Sequence, residues 1–290
     1  MLRAAVADCL TAGVEVFTTL DLRAPAQCEA TGVTPIGSGT CLAAVFDQLA
    51  READATLVIA PETGGVLTQW AQRLASLDAR SLGCDVASIR LCGDKRRLAA
   101  HLQGEGIATP PLIEPRMPEI VDFPVVVKPV DGAGCEQTFV CRSWREWRAV
   151  RSTEDPDVIV QRCFHWPCGI SVGVCLQVKS HDVVPLICRR QRIGAYGDGP
   201  LQLVYEGGET LENPPLVDRA VSLARRAVAA VPGLRGIVGV DVVLGPEASS
   251  DVVIEINPRM TLSYAAADPT LRQRWIAGCL GQSLEAPDRA

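Results

Sequence analysis

Aliphatic and β-branched runs of strand length alternate along this chain with segments whose apolar positions recur every three or four residues. The first pattern fits strands and the second fits amphipathic helices. Leu2 to Ala12 reads as a helix and Val14 to Leu20 as a strand. Cys41 to Ala53 reads as a helix, Ala55 to Ala60 as a buried strand and Val66 to Leu77 as another helix. Pro61-Glu62-Thr63-Gly64-Gly65 breaks the chain between the last two. This alternation over residues 1–92 predicts a parallel sheet with helical crossovers. Ligands meet such sheets at the C-terminal ends of the strands, which makes Glu62 a candidate site residue. Domains of this type commonly open on a strand. This chain opens on a helix, so the first strand is expected to be missing or the start misplaced.

Asp94 is placed to cap a helix over Lys95 to Gln103, which Gly104 and Gly106 end. Thr109-Pro110-Pro111 leads into a linker, and Phe123 to Val130 reads as a buried strand that carries Lys128 near its end. The turn-rich loop Asp131-Gly132-Ala133-Gly134-Cys135-Glu136 follows. Residues 139–150 alternate and then turn helical around Trp144 and Trp147. Val158 to Gln161 is a further strand, and Ile170 to Val178 and Val183 to Cys188 read as antiparallel neighbours. Residues 194–208 are glycine-rich and read as loop. Pro215 to Val231 is helical, 237–244 and 251–257 are strands, and 268–279 is a last helix.

Composition narrows the class. Hydrophobic content of 48% and charged content of 21% are globular values. A net charge of −6 and no Lys/Arg run beyond three residues disfavour a nucleic-acid partner. The apolar runs are far shorter than the roughly 20 residues that span a bilayer, and the N-terminus does not read as a signal peptide. Twelve cysteines include no Cys-x-x-Cys pair and no zinc-finger spacing. They read as small buried hydrophobes in a reducing cytosol. Cys135 stands apart, because its glycine-rich loop is expected to expose it.

The chemistry concentrates at the strand ends. In Asp251-Val-Val-Ile-Glu255-Ile-Asn257-Pro-Arg259, a β-branched run ends in a carboxylate, an amide and a guanidinium at alternate positions. Alternate side chains of a strand share one face, so the three project together if the strand runs on. Gly239-Val-Asp241 would add a carboxylate from a second strand. Such oxygen ligands suit a hard divalent metal, and Arg259 suits phosphate. Lys128 before a glycine-rich loop is a phosphate candidate, and so is Lys95 at a helix start. Neither a P-loop nor a dinucleotide fingerprint is present.

This order of features resembles the ATP-grasp enzymes over nearly the full length of the chain. Two stretches, Val58 to Thr63 and Glu255 to Tyr264, resemble tyramine–glutamate ligases of methanofuran-type cofactor biosynthesis. The resemblance implies an α/β (α+β) ATP-grasp fold in which two α+β subdomains sandwich ATP. Residues 1–92 would be a parallel pre-ATP-grasp domain, 93–160 a small lid and 161–290 the large subdomain with the metal site. Lys95 and Lys128 would hold ATP phosphates, and Asp131, Gly132, Ala133 and Gly134 would belong to the covering loop. Gln161, Arg162, Cys163 and Phe164 would form the adenine hinge, and Arg190 or Gln191 would add a phosphate or substrate contact. Asp241, Glu255 and Asn257 would bind Mg²⁺, with Mn²⁺ as a substitute, and Arg259 would act at an acyl phosphate. Glu62, Thr261, Ser263 and Tyr264 would face the substrates.

Arg162 departs from the Glu often found in the hinge, and Gly169 from a ribose-binding carboxylate. The implied function is cytoplasmic, ATP-dependent joining of a small carboxylate, glutamate, to an amine such as tyramine; dimers are common among such enzymes, which leaves a homodimer open. The alternatives are another amino-acid, peptide or polyglutamate ligase, or a nucleotide-binding regulator that has lost catalysis.

Overall fold

The computed structural model describes residues 1–23, 28–113, 122–150, 158–164, 167–179 and 182–279. Part of the linker expected after Pro111, residues 114–121, lies outside them. The chain opens with α1 (Leu2–Thr11), then β1 (Phe17–Asp21) and β2 (Gly32–Ile36), which pair in parallel as a two-stranded sheet. The helices α2 (Leu42–Glu52), α3 (Val66–Ser76) and α4 (Val86–Gly93) follow. Sequence periodicity alone misses β2 and α4.

The run 55–60, expected as a parallel strand, makes a single bridge, Thr56 to Ser81. Its side chains still alternate. Val58 and Ala60 pack into one core, while Leu57 and Ile59 pack into another. The period-2 pattern therefore reports an extended segment between two cores, without a ladder of backbone bonds.

The helix α5 (Lys95–Gly104) starts where the Asp94 side chain accepts the N–H groups of Arg96 and Arg97 at 2.9 and 3.0 Å. Beyond it lie β3 (Val125–Pro129), β4 (Phe139–Cys141), α6 (Trp144–Val150) and β5 (Val158–Arg162). Next come β6 (Ile170–Lys179), β7 (Asp182–Tyr196), β8 (Leu201–Thr210) and α7 (Pro214–Ala229). The chain continues through β9 (Gly236–Leu244), β10 (Val252–Asn257) and α8 (Pro269–Cys279). One antiparallel sheet of eight strands runs β10-β9-β6-β7-β8-β4-β3-β5.

Residues 194–208 correct the loop expectation, because most of them extend β7 and β8. Their glycines mark close approach between strands. A Cβ at Gly208 would stand 2.8 Å from the Arg190 carbonyl oxygen.

The central strands are buried on both faces. Val172, Val174, Leu176 and Val178 of β6 meet α7 through Ala220, Ala224 and Ala227. Cys175, between them in sequence, faces the opposite core with Tyr264 and Trp275. A third cluster packs Trp147 of α6 on Val125 and Val127 of β3 and Val160 of β5. The two halves of the sheet thus have separate supports, and the alternate positions, Val126 and Lys128 of β3, Ser171 of β6 and Asp241 of β9, line the cleft. Among the described residues no helix is long and apolar enough to cross a membrane.

Candidate active site

Asp241 on β9 and Glu255 on β10 are direct register partners. Partners across antiparallel strands project to the same face, so two carboxylates meet there. Burial raises the Asp241 carboxyl well above its ordinary value, and the neighbouring Glu255 charge adds to the rise. Burial also opposes the Glu255 charge, but Lys95 and Lys128 outweigh it and hold Glu255 below its ordinary value. Asn257 donates its amide N–H to Asp241 Oδ2 at 3.1 Å, and Gln191 donates to Asp241 Oδ1 at 2.8 Å. Ser171 Oγ steadies Gln191 Oε1 at 2.6 Å.

Of the two residues that the sequence left open, Gln191 thus anchors the carboxylate, while Arg190 is exposed at the cleft. Gly173 is the register partner of Asp241 on its other side, and a Cβ there would lie 3.2 Å from Asp241 Oδ1. Ser171 and Gly173 went unnoticed in the sequence. A glycine within the β-branched run of β6 was the available signal.

This donor set fits a hard divalent cation. Two half-buried carboxylates press on each other, and a 2+ charge between them would offset both the burial and the repulsion that raise Asp241. Among the described residues no group of three or more His, Cys, Asp or Glu is placed to hold a metal ion. The set is two carboxylates with an amide beside them, which leaves coordination positions for phosphate oxygens.

The cleft above this floor has a volume of about 330 Å³. Lys128, near the end of β3, is 7% exposed and reaches it. Burial lowers the Lys128 ammonium to about 8, with Glu255 partly offsetting. The Lys95 ammonium lies 3.4 Å from Glu255 and also bonds the Gly132 carbonyl. Gly132 and Gly134 line the cleft, as does Cys135, whose thiol burial pushes up to about 11.

Asp131 stands in this loop but does not line the cleft. Its carboxylate accepts the Gly64 N–H at 2.8 Å and its carbonyl accepts the Thr63 hydroxyl at 3.3 Å. Its side chain thereby ties the loop to the 63–65 turn. The Ala133 carbonyl accepts the Glu136 N–H within the loop.

At the other end, Gln161, Arg162, Cys163, Phe164 and Gly169 line the cleft. Gln161 is 3% exposed and donates to the Pro110 carbonyl at 3.0 Å. The Cys163 N–H is already bound to the Pro124 carbonyl.

Beyond the carboxylate pair, β10 ends at Asn257 and the chain turns, with the Arg259 N–H on the Asn257 carbonyl at 2.8 Å. Arg259 is therefore off the strand, and the simple alternation expected for it does not hold. Its Nε and Nη2 reach Glu62 Oε2 at 2.9 and 2.8 Å. The turn after residue 60 and the turn after residue 257 thus meet. A small hollow of about 10 Å³ opens there, lined by Glu62, Lys95, Gly132, Glu255 and Asn257 among others.

Thr261 packs beside Gly239, where a Cβ would stand 2.5 Å from Thr261 Cγ2. Ser263 is half-buried. Tyr264 corrects the expectation of a pocket wall. It is fully buried, its hydroxyl donates to Asp8 Oδ2 at 2.8 Å, and its ring packs on Trp275. It belongs to the core that joins α1 to α8.

Comparison with known proteins identifies the fold and the family. The pre ATP-grasp 3 domain family matches residues 14–89. The chain is 26% identical, over 80% of its length, to the tyramine–L-glutamate ligase of Methanocaldococcus jannaschii, and it spans 65% of that protein's length. An ATP-grasp superfamily structure from Archaeoglobus fulgidus superposes with a TM-score of 0.69 at 23% identity, covering 97% of this chain and 80% of that one. D-alanine–D-alanine ligase from Bacillus anthracis superposes with a TM-score of 0.62 at 17% identity, covering 91% of this chain and 96% of that one. These likenesses show the fold. The ATP-grasp domain family matches residues 92–263, more than half of the chain, and the chain belongs to the ATP-grasp family.

Proposed function

We propose that this chain is an ATP-dependent carboxylate–amine ligase that works with Mg²⁺, and that its substrates are glutamate and an aryl amine of the tyramine type. One observation carries the reading. The half-buried Asp241–Glu255 pair lies beside Lys95 and Lys128 in the cleft, and the small hollow that shares Lys95, Gly132 and Glu255 with it is bordered by Glu62, the partner of Arg259. Charge for a nucleotide triphosphate and charge for a transferred phosphoryl group thus lie side by side.

Lys128 and Lys95 neutralise phosphate oxygens, and Asp241, Glu255 and Asn257 hold the cation. When bound, that cation supplies Lewis-acid charge for the phosphates. A substrate carboxylate oxygen attacks the γ-phosphorus, the bond to the bridging oxygen breaks, and ADP leaves with those electrons. Arg259 balances the charge of the acyl phosphate. The amine nitrogen then bonds to the acyl carbon, the bond to phosphate breaks, and the departing phosphate takes the proton that the nitrogen gives up. No side-chain nucleophile is required, so positioning and charge do the work. In this reading residues 93–160 cover the nucleotide, residues 161–290 carry the metal floor, and residues 1–92 supply Glu62 to the substrate end. The name of the archaeal relative suggests the first substrates to try.

The test is ADP release from Mg·ATP with glutamate, with and without tyramine. Turnover should require both substrates and fall by about a hundredfold or more in Glu255→Ala and Asn257→Ala. ATP binding with no release for any carboxylate–amine pair in a wide panel would sink the reading.

A further inference from the structure

Glu62 has two carboxylate oxygens in different situations. Oε2 holds Arg259 at 2.8 and 2.9 Å. Oε1 is buried and has no hydrogen-bond partner among the described residues. The residue is 9% exposed, so bulk water reaches it poorly. A buried acceptor without a partner is unfavourable, and native structures keep such groups chiefly where a ligand or water completes them.

Glu62 borders the hollow of about 10 Å³ that it shares with Lys95, Gly132, Glu255 and Asn257. That is roughly the space of a single non-hydrogen atom. A phosphate or carboxylate group is too large for it. The hollow also holds its own charge balance. The Lys95 ammonium already bonds the Gly132 carbonyl and pairs with Glu255. What remains is an acceptor seeking a donor of one-atom size, next to the arginine at the reaction end.

We propose that Glu62 Oε1 receives an N–H of the attacking amino group of the amine co-substrate, while Oε2 of the same carboxylate holds Arg259. This rests on the ligase reading and deepens it. One carboxylate then sets the distance between the nucleophile and the charge that faces the acyl phosphate. The hollow matches the nitrogen of a primary amine in size, and because the contact uses an N–H, the nitrogen's lone pair stays free to meet the acyl carbon. The same turn is anchored to the nucleotide-covering loop, because Gly64 N–H and the Thr63 hydroxyl both bond Asp131. The amine acceptor is thereby held in register with the loop above the phosphates.

Steady-state ADP release, with ATP, carboxylate and amine each varied in turn, tests it in wild type and Glu62→Gln. The amine KM should rise by about tenfold to a hundredfold, the loss expected for one hydrogen bond to a charged group. The KM values for ATP and carboxylate should move by less than about threefold. An unchanged amine KM overturns the proposal. So does a comparable rise in the carboxylate KM, or a fall in kcat alone, because Glu62 would then serve only Arg259. If Glu62→Gln does not fold, judged by the thermal shift with Mg·ATP, Glu62→Asp is read by the same criteria, since it keeps the charge but withdraws the acceptor. A wild-type protein that releases no ADP with any carboxylate–amine pair is a different result. It removes the ligase reading itself, and this inference with it.

Discussion

Asp241 and Glu255 sit in direct contact across two strands, and Lys128 lies buried above them. Each residue is unfavourable in isolation, since burial penalises the charged form. Together they make a site whose charge is completed by ligand. Lys128 gives a direct readout. With its ammonium lowered to about 8 by burial, it loses its positive charge as pH rises through that value in the free protein. Mg·ADP affinity measured by calorimetry should therefore weaken from about pH 7 to pH 9. Lys128→Arg, charged throughout because arginine titrates above about 12, should flatten that dependence. An equally steep fall in Lys128→Arg would assign the effect to another group. The residue types at this site were legible in sequence, because a lysine or carboxylate ending an apolar run has no packing reason to be there. Gly173 and Ser171 were not legible, since their importance lies in what stands opposite them.

At the scale of elements, the register of β9 and β10 places the carboxylates, and joints between elements hold that register. Gly236 opens β9 with φ at +76°, and a Cβ there would collide with the Leu82 carbonyl oxygen. Gly236→Ala combines a disfavoured backbone with a steric clash, so it should destabilise by about 2 kcal/mol or more, read by denaturant unfolding. A stability equal to wild type would mean that this joint is slack. A second joint links α1 to α8. Tyr264 donates to Asp8, and Arg272 pairs with the same carboxylate at 3.0 Å. Tyr264→Phe leaves a buried carboxylate one donor short and should cost about 1–3 kcal/mol. Per folded molecule the amine KM should hardly move. A large rise in that KM with unchanged stability would return Tyr264 to the substrate pocket. Helix α5 could be read from its cap and α7 from its periodicity. The β7–β8 hairpin could not, because glycines that permit close strand contact look like loop glycines when taken alone.

For the whole molecule, the carboxylate pair links stability to pH and to the metal. The folded state holds the Asp241 proton more tightly than the unfolded chain does. Its contribution is therefore full below the unfolded value near 4 and is lost as pH rises toward the folded value. Glu255 has the opposite sign, and its contribution is lost only in acid, as pH falls through its lowered value. From about pH 5 to pH 8 the Asp241 effect is the one in play. The melting temperature of the metal-free protein should carry a decline from this pair across that range. Added Mg²⁺ should raise it more at about pH 8 than at about pH 6, where the ion must displace a proton. Equal shifts at both values, in calorimetric scans, would place the cation elsewhere.

The sequence by itself determined most of the helical and extended segments, β2, α4 and the β7–β8 hairpin excepted, because periodicity follows from which faces must be buried. It also determined the residue types that gather at strand ends. Tertiary structure alone decided what those residues meet. The turn at 61–65 and the turn after Asn257 lie nearly two hundred positions apart, and only the packing of the two halves puts Glu62 on Arg259. Only the same packing sends Tyr264 into the core and Asp131 to the 63–65 turn. Local spacing encodes direction along an element, whereas contact across the fold depends on how whole elements fit. A side chain's partner is therefore a property of the assembled molecule.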